Sequence, residues 1–103
     1  MKFGLKESNV EDIVRIIAAF PEVQQAILYG SRAKGNYKAG SDIDLVLLGE
    51  ALNMSLVNKI SLELDELYLP YTFDISMLHQ IDNVELVEHI ARVGITLYGR
   101  IAT

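Results

Sequence analysis

The chain has 103 residues, half of them hydrophobic and 22% charged, the size and balance of one folded domain spanning 1–103 and not of a disordered tail. Fourteen acidic against nine basic side chains leave a net charge of −5, which argues against a protein that coats nucleic acid. The absence of cysteine excludes disulfides, thiolate zinc sites, iron–sulfur clusters and a catalytic thiol.

The opening MKFGLKES lacks the apolar stretch of a signal peptide. The apolar run Leu45 to Leu48 is far shorter than the ~20 residues a membrane helix needs. A cytoplasmic protein without membrane contact is expected. A domain this small buries only part of its surface alone, so its size also favours a partner or a homodimer.

Ser8 followed by Glu11 predicts a capping box, and Val10, Ile13, Val14, Ile17 and Phe20 recur at helical spacing until Pro21. Ala26 to Tyr29 is a short apolar strand ended by Gly30. Residues 30–41 hold three of the seven glycines and three of the nine basic residues, a loop region with room for one helical turn. Asp42 to Leu48 is an aliphatic strand. A helix over Ser55 to Leu67 follows, with Leu56, Ile60, Leu64 and Leu67 on its buried face. Pro70 opens a third strand, Tyr71 to Met77. Asp82 with Glu85 signals another helix start. Val84, Val87, Ile90 and Ala91 form its stripe, and Gly94 ends it. Ile95 to Tyr98 is a short terminal strand or an edge segment. The mixture predicts an α/β or α+β domain, helices packed on a small mixed sheet.

The chemistry concentrates in Gly30-Ser31-Arg32-Ala33-Lys34-Gly35 and Ser41-Asp42-Ile43-Asp44. Strand residues two apart share a face, so Asp42 and Asp44 project together while Ile43, Leu45 and Leu47 point into the core. Two adjacent carboxylates repel, and a hard divalent cation such as Mg²⁺ removes that cost. Gly30 lets backbone N–H groups approach a phosphate, and Ser31 adds a hydroxyl donor. A short helix starting here would aim its positive end at the phosphate. Arg32, Lys34 and Lys38 form a local basic cluster, with Arg32 the best placed of them for a phosphate contact. Asp74 sits mid-strand among alternating Phe73, Ile75 and Met77. An aspartate there is unfavourable unless exposed or given a charged partner. If its strand lies beside Asp42–Leu48, three carboxylates share a face and suit two metal ions roughly 3.5–4 Å apart. Asp74 would then accept the proton of an attacking hydroxyl.

Gly30-Ser31, ten intervening residues, then Asp42-Ile43-Asp44 resembles the signature of the DNA-polymerase-β-like nucleotidyltransferases, above all their minimal stand-alone members (MNT). The likeness covers nearly the whole chain, with Asp74 as the third carboxylate. It implies a polymerase-β palm-like fold and Mg²⁺-dependent transfer of a nucleoside monophosphate, AMP from ATP or another nucleotide from its NTP, to a hydroxyl. It also implies the antitoxin half of a pair whose partner is a helical HEPN protein, adenylylated on a tyrosine. The larger members carry an additional acceptor-binding domain, which is not expected here.

Weaker patterns compete. Gly30 to Gly35 begins like a Walker loop, but Asn36 and Tyr37 stand where Lys and Ser/Thr belong. Val46 and Leu47 fall where a calcium loop needs a ligand and a glycine. The aspartate pair alone could be a solvated strand end, and the basic residues ordinary loop charges. His79 and His89 are expected on the surface. Tyr68, Leu69 and Tyr71 are expected as core or strand-edge packing. Two functional alternatives stand beside the enzyme: a module that neutralises its partner by contact, and the transfer subunit of a split enzyme acting on a small-molecule hydroxyl.

Overall fold

In a computed structural model, which describes residues 2–100, the first helix, α1, runs Glu7–Ala18 and the first strand, β1, Gln25–Tyr29. A one-turn helix, α2 (Gly30–Lys34), follows without a break, and β2 occupies Ile43–Leu48. Then come α3 (Met54–Asp65), β3 (Phe73–Met77), a 3-10 turn (Leu78–Gln80), α4 (Val84–Val93) and β4 (Ile95–Gly99). The sheet order is β3-β2-β1-β4. β1 pairs antiparallel with β2 and β4, whereas β3 runs parallel to β2. The sheet is therefore mixed, and the terminal segment is an edge strand.

Strand alternation divides the domain into two apolar layers. On one face Ala26, Leu28, Ile43, Leu45, Leu47 and Met77 pack against Ile13 and Ile17 of α1 and Val57, Ile60 and Leu64 of α3. Most of these side chains are fully buried, so this layer supplies the bulk of the hydrophobic stabilisation. The other face carries a smaller cluster in which Tyr29 and Val46 meet Ile90 of α4. α4 covers only part of that face, which leaves the start of β2 and β3 open. Among the described residues, no helix is long and apolar enough to cross a membrane.

The helix starts differ from the sequence expectation by one or two residues. The predicted Ser8–Glu11 box does not form. Lys6 is the N-cap, no side chain caps it, and Ser8 lies inside the helix. Glu7 in the first turn complements the positive helix end instead. Asn53 caps α3, its Oδ1 accepting from the Leu56 N–H at 2.9 Å. Asn83, rather than Asp82, caps α4, accepting from the Leu86 N–H at 3.1 Å. α1 ends at Ala18, before Pro21. On α3, Val57 is buried and Leu56 only half-buried; the helix ends at Asp65, so the half-buried Leu67 lies in the turn after it. On α4, Val84 and Ala91 are exposed, and the half-buried Leu86 packs on the sheet cluster in their place. Tyr68 is not packed at all: it is 89% exposed at a left-handed φ of 53°.

Candidate active site

The open end of the α4-side face is built by three strands. In the parallel β2–β3 ladder Asp44 is paired with Asp74, and in the antiparallel β1–β2 ladder Asp44 faces Tyr29. Register partners share a face, so Tyr29, Asp44 and Asp74 stand in a row across the sheet. Asp42 precedes β2 by one residue and shares the phase of Asp44. Asp42 and Asp74 are exposed, and Asp44 is half-buried. Phe73, Ile75 and Met77 alternate onto the core face, which is why Asp74 projects outward.

The electrostatics carry the mark of unneutralised like charge. Asp44 has its pKa raised, first by desolvation and then by the charges of Asp74 and Asp42, while Arg32 and His89 oppose the shift. Tyr29 has its pKa raised by burial, with Asp74 and Asp44 adding to the rise and a hydrogen bond with the Ser76 side chain opposing it. Among the described residues the ion pair is Arg15 with Asp12, so no basic side chain is paired with the three aspartates. Nor, among the described residues, do three carboxylates or imidazoles close around one point at ligand distance. Oxygen donors on an open face without a paired counter-charge are the ligand type a hard divalent cation takes, but the described side chains do not by themselves enclose one point.

This field has a consequence for stability. The folded Asp44 carboxyl holds its proton more tightly than the ordinary value of 3.8, so in metal-free buffer stability falls as pH rises through that value toward the raised one. Asp44→Asn should therefore raise the melting temperature of the metal-free protein near neutral pH, a small gain because the group is half-exposed. The gain should vanish below the ordinary carboxylate pKa. Differential scanning fluorimetry across pH 3–8 with EDTA measures it.

Gly30 joins the turn to the carboxylates. Its φ is +75°, and a Cβ built there would collide with Oδ2 of Asp44. The β1–α2 junction thus lies flush against the second aspartate, with Ser31 beside it. Lys34, three residues on from Ser31 and so on the same side of the turn, is exposed.

Two sequence expectations need correction here. Arg32 does not reach into the open face as a phosphate contact. It is 2% exposed, and its guanidinium donates to the Ser41 carbonyl from Nε (3.1 Å) and Nη2 (2.8 Å) and to the Phe3 carbonyl from Nη1 (2.8 Å). The rings of Tyr71 and Tyr37 lie 4.5 and 5.4 Å from it. The carbonyls of a distant hairpin and of the following loop, invisible in local sequence, capture the charge. His89, expected on the polar surface of α4, is half-buried and packs edge-on against Tyr29 with centroids 6.3 Å apart. His79 is exposed on the 3-10 turn.

No curated protein sequence matches the chain. Solved structures share its fold. A toxin–antitoxin complex with AMP-PNP superposes with a TM-score of 0.71 at 23% identity, covering 93% of this chain and 75% of that one. The structure of a tri-AMPylated HEPN toxin of Shewanella oneidensis in complex with MNT antitoxin gives 0.70 at 19%, covering 93% and 74%. A third, the toxin–antitoxin MntA–HepT, gives 0.68 at 20%, covering 92% and 74%. At such identities the likeness concerns the fold. The family described as "Polymerase beta, Nucleotidyltransferase" matches residues 11–102, nearly the full length. The chain, with its Gly-Ser turn set against a carboxylate row, thus belongs to the polymerase beta nucleotidyltransferase family.

Proposed function

We propose that this protein transfers a nucleoside monophosphate, AMP in the first instance, from a nucleoside triphosphate to a hydroxyl of a helical HEPN-type partner, most simply a tyrosine. The reading rests on one observation: Asp44 is in register with Asp74 on an open sheet face, directly against the Gly30-Ser31 turn. The acceptor class is supported by the fold shared with the MNT antitoxin found in complex with a tri-AMPylated HEPN toxin.

Asp42, Asp44 and Asp74 would hold Mg²⁺, two ions on this reading. Bound Mg²⁺ neutralises triphosphate charge and lowers the pKa of an attacking hydroxyl. The chain's own groups do the rest. Gly30 and Ser31 take the phosphates through backbone N–H groups and the hydroxyl. The acceptor oxygen bonds to the α-phosphorus as the bond to the α–β bridging oxygen breaks. Pyrophosphate leaves, and the hydroxyl proton passes to Asp74, an exposed carboxylate and the one on the outer strand. Tyr29 stays protonated beside the carboxylates and floors the site.

Nucleotide binding should require the cation, because an uncompensated carboxylate row repels a triphosphate. Calorimetric titration with ATP should show binding in Mg²⁺ and at least about a tenfold weaker affinity in EDTA. Equal affinity in both buffers would contradict the proposal.

A further inference from the structure

Among the described residues Arg32 is the buried charged side chain of the domain, and its position is unusual. Its three hydrogen bonds end on neutral carbonyls, and no carboxylate is paired with it. Desolvating a cation in this way costs free energy that neutral acceptors and two aromatic faces only partly offset. A buried leucine or methionine would fill the volume without that cost. The location of the bonds gives the charge a purpose. Arg32 directly follows Ser31. The carbonyl that accepts its two-pronged bond belongs to Ser41, which directly precedes Asp42. Ser41 is itself fixed from the other side: its Oγ accepts from the Lys38 N–H at 2.8 Å, and its own N–H donates to the Lys38 carbonyl at 3.0 Å.

The third bond ties in the N-terminus. Lys2 and Leu5 exchange backbone hydrogen bonds of 2.9 and 2.7 Å, closing a tight turn through Phe3 (φ 57°) and Gly4 (φ 75°). Phe3 is a bulky residue in a left-handed conformation, which is unfavourable in itself. That turn aims the Phe3 carbonyl at Nη1 of Arg32. A Cβ at Gly4 would lie 2.8 Å from the same nitrogen, so the hairpin is packed hard against the guanidinium.

We propose that Arg32 is a positioning residue: a strut that locks the loop entering Asp42 to the turn carrying Ser31, with the N-terminal hairpin as its backstop. The strut is a property of the fold, and its catalytic consequence rests on the nucleotidyltransferase reading above. Lysine keeps the charge but has no planar fork, so it cannot donate to Ser41 and Phe3 in this geometry. Holding a ligand-bearing loop in register is worth about 10- to 100-fold in metal affinity or rate at comparable sites.

The test is Arg32→Lys, followed by hydrogen exchange with mass spectrometry and by transfer kinetics. Exchange over residues 38–42 should quicken by about tenfold or more, while β1 changes by less than about twofold. In transfer, kcat should fall about 10- to 100-fold with the nucleotide KM within about threefold. Unchanged exchange at 38–42 overturns the strut, whatever happens to activity. So does an even quickening across the whole chain, which marks a merely structural residue. Local loosening in a protein whose wild type transfers nothing upholds the strut and removes only the enzymatic reading. If Arg32→Lys does not fold, Gly4→Ala crowds both the guanidinium and the Tyr37 ring beside it from outside the motif and must give the same local pattern.

Discussion

Asp42→Asn combined with Asp44→Asn should abolish nucleotidyl transfer while the domain stays folded. Both side chains lie on the open face and neither contributes to the buried clusters, so their removal leaves the core untouched. Asparagine keeps the shape and a carbonyl oxygen but loses the negative charge that holds a hard cation. The charge stabilisation at stake is several kcal/mol, roughly a thousandfold or more in rate. In metal-free buffer the double variant should melt no lower than the wild type, since two of three repelling charges are gone. Added Mg²⁺ should raise the melting temperature of the wild type and leave the variant unmoved. A variant that melts well below the wild type in EDTA would show the pair to be structural.

Gly30→Ala should be nearly as damaging by a different route. The left-handed φ of +75° costs a non-glycine residue roughly 1–2 kcal/mol, or about 4–16 °C in a domain of this size. The added methyl also meets the Asp44 carboxylate and must push it or the turn aside. A displacement on the order of 1 Å at a reacting group costs about 100-fold in rate. Gly35→Ala is the matched control. Gly35 has φ +89° and caps α2, but nothing lies within 4 Å of its would-be Cβ. It should lose similar stability and keep its activity. Circular dichroism melts and initial rates of the two variants separate backbone strain from carboxylate displacement.

The Asp42–Asp44 pair was legible in the sequence because strand phase is local: residues two apart share a face whatever the partner strand does. The one-turn helix after Gly30 and the edge strand after Gly94 were likewise within reach of the glycine positions. Asp74 was legible as an out-of-place mid-strand aspartate, but its place beside Asp44 stayed conditional, because it depends on β3 joining β2 in parallel with a one-to-one register. Arg32 misled for the same reason in reverse. In sequence it is one of three cations beside a Gly-Ser turn. In space the Phe3 carbonyl, 29 positions away, and the Tyr71 ring claim it. His89 misled because helical periodicity shows which residues share a face but not which neighbour that face meets, and here the neighbour is Tyr29. Asn83 caps α4 one residue after the Asp82 that the Asp-Glu pattern pointed to, Asn53 caps α3 without having been singled out, and the Ser8–Glu11 pattern of α1 caps nothing. A side chain caps only if its backbone leaves the helix there.

The most direct test of the account is transfer itself. The purified protein is incubated with α-labelled ATP, Mg²⁺ and a HEPN-type helical protein encoded beside it, and the partner is analysed by intact-mass spectrometry and peptide mapping. The account predicts one or more AMP additions on a tyrosine of the partner, lost with the Asp42→Asn/Asp44→Asn protein and lost in EDTA. A partner that is bound and silenced with no added mass, equally well by the double variant, would contradict it and make the domain a contact inhibitor.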